Sequence, residues 1–203
     1  MILYHVDRKN SFPSDHKSQL KYPINTVNIR EADTLFNSIY PKGLSYTGIR
    51  YASPFDIDLE NYDNAKATFE NSRIFTIEYV FEMVRLLYFP KRPSRFTSLF
   101  ACQKIEDVRR WCNILSQNSK IPRHATIKKI ETNSKVFTGD SFWRDDRFHL
   151  RNNRQVFSPF AYHEWARKYW NGDISNNPSI EVLCELPVTV LDSIPISEVF
   201  NAT

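Results

Sequence analysis

Glycine is so scarce in this chain that it limits both the turns available and the way a phosphate can be met. Gly43, Gly48, Gly139 and Gly172 are the only four among 203 residues. A P-loop or a GxGxxG turn needs several closely spaced glycines, because backbone must approach phosphate with no Cβ in the way. Neither motif can be read at these positions. A nucleotide bound by this chain is therefore held by another scheme.

The order of elements follows from periodicity. Ile2 to Arg8 reads as a short strand, with Ile2, Tyr4 and Val6 on one face and Leu3, His5 and Asp7 on the other. Lys9 to Tyr22 is polar, and a helix is expected over about Glu31 to Ile39. Pro41 to Asp63 is rich in Pro, Gly, Ser and Tyr and reads as a loop, of the kind that covers a site. The clearest helix spans Ser72 to Tyr88, where Ile74, Ile77, Phe81, Val84 and Tyr88 step by three or four. Pro90 and Pro93 stop it.

Ser94 to Ala101 reads as a strand with Phe96, Ser98 and Phe100 on one face. A second helix follows with Ile105, Val108, Cys112 and Leu115 in register, and Ala125 to Glu131 is a further strand. Ser158-Pro159 opens a third helix as N-cap and first-turn proline, and Gly172 is placed to end it. Ile180 to Leu191 is the strongest strand, with Ile180, Val182, Cys184 and Leu186 on one face and Glu181, Leu183 and Glu185 on the other. No internal repeat or linker is visible. The order predicts a single α+β domain over residues 1–203 with a mostly antiparallel core.

With 41% hydrophobic residues the chain can bury a sizeable core. Its net charge of +4 favours an anionic ligand without naming one. Cys102, Cys112 and Cys184 form no CxxC pair, which argues against structural zinc and for free thiols in a reducing compartment. Tyr162-His163-Glu164-Trp165 lacks the spacing of a zinc helix, and Asp7, Asp15 and His16 make no recognisable metal set. The start of the chain is charged by Asp7 and Arg8, unlike a signal peptide, and no apolar run reaches the ~18 residues of a membrane span. A cytoplasmic protein with neither metal nor membrane is expected.

Two polar residues stand in strands otherwise fit for a core, His5 in the first and Glu181 in the last strong one. Such a residue needs a partner or a task. Around them lie Tyr4-His5-Val6-Asp7-Arg8, then Phe89-Pro90-Lys91-Arg92-Pro93-Ser94-Arg95-Phe96-Thr97-Ser98-Leu99-Phe100-Ala101. Tyr169-Trp170-Asn171-Gly172 and Glu181-Val182-Leu183 complete the set. In this order and spacing the chain resembles the ADP-ribosyltransferase superfamily, and within it a small bacterial family of unassigned function.

The resemblance implies a split antiparallel β-sheet core flanked by helices, and NAD as substrate. It implies that His5 hydrogen-bonds the adenosine-side ribose and amide groups of NAD. It implies that Glu181 holds a hydroxyl of the nicotinamide ribose and stabilises the oxocarbenium ion, as carboxylates do in glycoside cleavage. An aromatic residue would stack on nicotinamide, and Phe96, Tyr162 and Tyr169 all stand open for that role. Arg8 and Arg95 would neutralise the pyrophosphate. A second class within the superfamily uses arginine, serine and glutamate; there Arg8 would stand for the arginine, and Ser94 or Ser98 for the serine.

Compact basic members of the superfamily are often toxins of toxin–antitoxin or phage-defence systems, and some modify DNA or RNA. The acceptor of ADP-ribose is then nucleic acid, slightly favoured, or protein, and a toxin implies an antitoxin protein partner. Phe142 to Arg154 interleaves aromatics with Arg144, Arg147, Arg151 and Arg154, a pattern that can grip single-stranded nucleic acid. The same pattern serves a surface loop whose aromatics anchor it to the core. The competing reading is a non-catalytic module on the same fold that binds a nucleotide or nucleic acid.

Overall fold

The computed structural model describes residues 1–8, 12, 17–18, 20, 30–52, 62–116, 121–122, 124–144, 150–151, 154–155 and 158–201. The chain is α+β, built on antiparallel sheets. One sheet has four strands in the order β1 (Ile2–Asp7), β4 (Thr126–Glu131), β9 (Val188–Pro195), β2 (Lys17–Ser18). A second has three, in the order β3 (Ser98–Ala101), β8 (Ile180–Glu185), β5 (Val136–Asp140). A small hairpin, β6 (Leu150–Arg151) and β7 (Arg154–Gln155), stands apart.

The helices are α1 (Arg30–Ile39), α2 (Tyr46–Ala52), α3 (Tyr62–Tyr88), α4 (Ile105–Ser116), α5 (Pro159–Asn171) and α6 (Ile196–Asn201). The α5 ends follow local chemistry. The Ser158 hydroxyl accepts from the Ala161 N–H, Pro159 occupies the first turn, and Gly172 closes the helix at φ 91°. Helix α3 ends at Tyr88, just before Pro90, but begins ten residues before the expected start at Ser72.

Three expectations are corrected. The Pro41–Asp63 segment is not all loop, because α2 lies within it. The Ile180–Leu191 strand breaks at Leu186-Pro187, so that β8 and β9 belong to different sheets. Proline offers no N–H to a ladder, and both flanks remain apolar enough to be buried. The strand expected from Ser94 also starts later, at Ser98, after a turn.

The two sheets share a core. Leu3, Ile130 and Val190 of the larger sheet cluster with Ala101, Val182 and Cys184 of the smaller and with Leu186 between β8 and β9. On the far face of the smaller sheet, Phe137 and Leu183 pack with α3 and α5 through Phe81, Tyr162, Tyr169 and Trp170. On the far face of the larger sheet, Ile127 meets Val108 and Cys112 of α4 and Val199 of α6. Strand β8 is thus buried on both faces, which explains its near-continuous apolar run. All three cysteines are free and buried. No helix among the described residues is long and apolar enough to cross a membrane.

Candidate functional site

Strands β1 and β3 belong to different sheets but touch at one point. Tyr4 and Cys102 exchange backbone hydrogen bonds of 2.9 and 2.7 Å there. Beside that bridge lies a cavity of about 210 Å3, walled by β1, α2, β3, α4 and β8. His5 and Glu181 both line it, as do Arg8, Arg50, Tyr51, Arg95 and Arg144.

His5 is held by the neighbouring sheet. Its Nδ1 lies 2.7 Å from the Phe100 carbonyl. A carbonyl only accepts, so Nδ1 carries the proton and Nε2 is left as an acceptor. Burial pushes the imidazole pKa below its ordinary value, against the pull of that carbonyl. His5 is therefore neutral at pH 7.

Glu181 projects from β8 on the Leu183 side and is buried. Its Oε1 accepts from Arg95 Nη1 and, at 2.8 Å, from the Tyr169 hydroxyl. Arg95 Nη1 also donates to the Tyr169 oxygen at 2.8 Å. On its other side, Arg95 Nε donates to Glu78 Oε2 at 2.6 Å and Nη2 to Glu78 Oε1 at 3.2 Å. Arg144 Nη1 adds a bond to Glu78 Oε1 at 3.3 Å. Two carboxylates and two guanidiniums thus form one continuous chain, buried except at the partly exposed Arg144.

Burial alone would discharge Glu78 and Arg95, but their pairing prevents it. For Arg95, burial opposes the charge, while Glu181 and then Glu78 raise its pKa well above the ordinary value. For Glu78, burial is outweighed by Arg95 and then Arg144, so its carboxyl stays below its ordinary value. Tyr169 is pushed up by burial and by Glu181, so its hydroxyl remains a donor. Breaking one partner of such a buried pair typically costs about 3–5 kcal/mol, because the other charge is stranded.

A second buried network fixes the turn that carries Arg95. Arg85 donates to both oxygens of Glu82, at 3.1 and 2.8 Å, and reaches the Arg92 carbonyl at 3.1 Å. Ser94 Oγ and the Tyr40 hydroxyl complete the set on Glu82, at 2.8 and 3.0 Å. Helix α3 therefore grips the Pro90–Phe96 segment at two successive turns.

The structure brings His5, Arg8, Arg95, Glu181 and Arg144 to one cavity. It does not bring Ser94, Phe96 or Ser98 there. Ser94 is spent on Glu82 and on the Phe96 N–H, at 3.0 Å. Phe96 is 2% exposed and stacks on Tyr40 at 5.7 Å, so its ring serves a core cluster and has no free face for a ligand. Ser98 is buried, and its hydroxyl has no partner among the described residues. Tyr162 belongs to the α3–α5 core, and Tyr169 offers only its hydroxyl, to Glu181 and Arg95. The aromatics that line the cavity are instead Tyr4, Tyr51, Phe100 and Trp111.

Arg95 is fully buried, so it backs the cavity wall and is not the open phosphate ligand that its place in the motif implied. Arg144 faces inward on Glu78 and not outward as part of a nucleic-acid grip. Arg151 and Arg154 are paired positions of the β6–β7 hairpin, and Arg147 lies outside the described residues. Trp143 does anchor its segment, donating to the Asp173 carbonyl at 2.7 Å under the Lys168 ammonium.

Glu78, Arg50 and Tyr51 were not singled out by sequence. Glu78 did leave a signal: Glu78, Glu82 and Arg85 recur at helical spacing along the apolar stripe of α3. Arg8 and Arg50 have no ion-pair partner among the described residues. The cavity rim is therefore cationic and suits an anion. No group of three or more His, Cys, Asp or Glu that could hold a metal occurs among the described residues.

Compared with known families, residues 3–196 match one described as a protein of unknown function (DUF2441). None of the curated proteins compared with the chain matches it.

Proposed function

The chain belongs to this family of unknown function, and from the geometry of its cavity we propose that it is an NAD-dependent ADP-ribosyltransferase. The proposed fold is the split antiparallel sheet core of that superfamily. The observation that carries the reading is that His5 of the first strand and Glu181 of a late strand, far apart in sequence, line one cavity with a cationic rim.

In this reading NAD enters with its pyrophosphate toward Arg8 and Arg50. His5, neutral and fixed by Phe100, hydrogen-bonds the adenosine-side ribose. Glu181 stands against the nicotinamide ribose, where positive charge develops at the anomeric carbon. Nicotinamide leaves with the electrons of the glycosidic bond. An acceptor nucleophile then forms the new bond to that carbon and gives up its proton. No metal takes part. The acceptor is a macromolecule, with nucleic acid favoured over protein by the basic rim. A toxin with an antitoxin protein partner, acting in the cytoplasm, fits this activity.

One observation favours the second reading, a non-catalytic binding module. The Glu181 carboxylate is already engaged through Oε1 by Arg95 and Tyr169. The test is transfer of label from NAD radiolabelled in its adenylate half, with RNA, DNA or cell protein added, beside Glu181→Gln. Label on one acceptor class, lost in the variant, supports the enzyme. NAD binding without transfer, equal in both proteins, supports the module.

A further inference from the structure

The most unusual feature of the molecule is an arginine with no solvent exposure set between two carboxylates. We propose that Arg95 is a positioning residue, which with Tyr169 holds the Glu181 carboxylate in place at the cavity wall and does not itself bind the ligand. This rests on the reading of Glu181 as the group facing the reacting carbon.

The geometry carries the assignment. Arg95 makes a two-pronged contact with Glu78 through Nε and Nη2, which fixes the guanidinium plane on α3. Its remaining prong, Nη1, meets Glu181 Oε1 and the Tyr169 oxygen together. The Arg95 guanidinium also lies 4.6 Å from the centre of the Phe100 ring, which covers one of its faces. Tyr169 closes a triangle by donating to the same Glu181 oxygen at 2.8 Å. Both constraints fall on Oε1. The carboxylate is thus held by one oxygen, and Oε2 has no hydrogen-bond partner among the described residues.

A residue of this kind acts through Glu181. Its loss should lower turnover without weakening ligand binding, because uniform binding and transition-state stabilisation separate in KM and kcat. Lysine keeps the charge but cannot bridge Glu78 and Glu181 as a fork.

The experiment measures nicotinamide release and NAD affinity for wild type, Arg95→Lys, Tyr169→Phe and Arg8→Gln, with a crystal structure of each of the first two variants. Arg95→Lys and Tyr169→Phe should each lower kcat by about tenfold to a hundredfold, the range for a hydrogen bond to a charged group. KM should stay within about twofold. In the structures the Glu181 carboxylate should turn from its wild-type orientation. A rise in KM at unchanged kcat for Arg95→Lys would make Arg95 a ligand contact and overturn the assignment. So would a Glu181 carboxylate that stays in place in both variants. If Arg95→Lys does not fold, Tyr169→Phe decides, since it removes one hydroxyl and keeps the ring packed. If wild type releases no nicotinamide, the proposed activity fails, and the two crystal structures alone judge the positioning role.

Discussion

Replacing Gly139 by alanine tests how tightly the site is held from behind. Gly139 of β5 pairs with Glu181 of β8 across the sheet. A Cβ at this position would lie 2.6 Å from Tyr169 Cε2, 2.8 Å from Tyr169 Cζ and 2.9 Å from Phe137 Cε1. Neither ring can withdraw, because Tyr169 is fully buried, Phe137 nearly so, and they pack edge to face at 5.4 Å. Overpacking a close-packed core costs about 1–3 kcal/mol, and three contacts below 3 Å put this change in the upper half of that range. Loss of a flexible glycine from the unfolded chain offsets about 0.5–1 kcal/mol. The net loss is about 1–2.5 kcal/mol. For a domain of this size the melting temperature should therefore fall by roughly 2–10 °C. Thermal unfolding followed by circular dichroism reads this directly. An unchanged or raised melting temperature would mean that Tyr169 does not fill the space over β5, and the account of Glu181 anchoring would fall with it.

Four further outcomes follow from the same contacts. Gly48→Ala should lower the urea midpoint sharply, because its Cβ would sit 1.9 Å from the Phe96 carbonyl oxygen, which also accepts from Ser45 Oγ; a neutral effect would refute the close approach of α2 to the Phe96 turn. Phe96→Leu should lower the melting temperature yet leave KM for NAD unchanged, whereas a KM increase alone would restore the stacking role expected from sequence. Arg8→Gln should raise KM for NAD with little change in kcat, and an unchanged KM would remove Arg8 from the pyrophosphate site. The folded His5 has a pKa below its unfolded value, so its contribution to stability is complete above pH ~6.5 and is lost as pH falls through the folded value. Melting temperatures between about pH 7.5 and 5 should therefore decline less steeply in His5→Asn than in wild type, and parallel curves would contradict the burial of a neutral imidazole.

Much of this fold was legible where local chemistry decides. Ser158, Pro159 and Gly172 each act within one turn of α5, and the period-two pattern of β1 needs only its own residues. What escaped was set by distant partners. Helix α2 was hidden by a composition suited to loops; its Gly48 is there because the Phe96 carbonyl leaves no space for a side chain. The break between β8 and β9 was hidden because the apolar run continues through it into a second sheet.

The site shows the same division. His5 and Glu181 could be picked out because a charged or polar residue in an apolar strand is conspicuous. Arg95 could be found but its role was misread, since arginine is almost never fully buried unless paired, and its partner Glu78 lies on a helix 17 positions away. Phe96 looked like a strand residue facing a ligand, but the strand starts only at Ser98, and the preceding turn aims the ring into the core.

The central claim is that the cavity between β1 and β8 cleaves NAD with the help of Glu181. The most direct test is chromatographic detection of nicotinamide after incubating NAD with the purified wild-type protein and with Glu181→Gln, both shown to be folded by their melting curves. The account predicts nicotinamide from the wild type and a loss of about three orders of magnitude in the variant, as for removal of a group that stabilises transition-state charge. Equal release from both proteins, or none from the wild type with RNA, DNA or cell extract present, would contradict it.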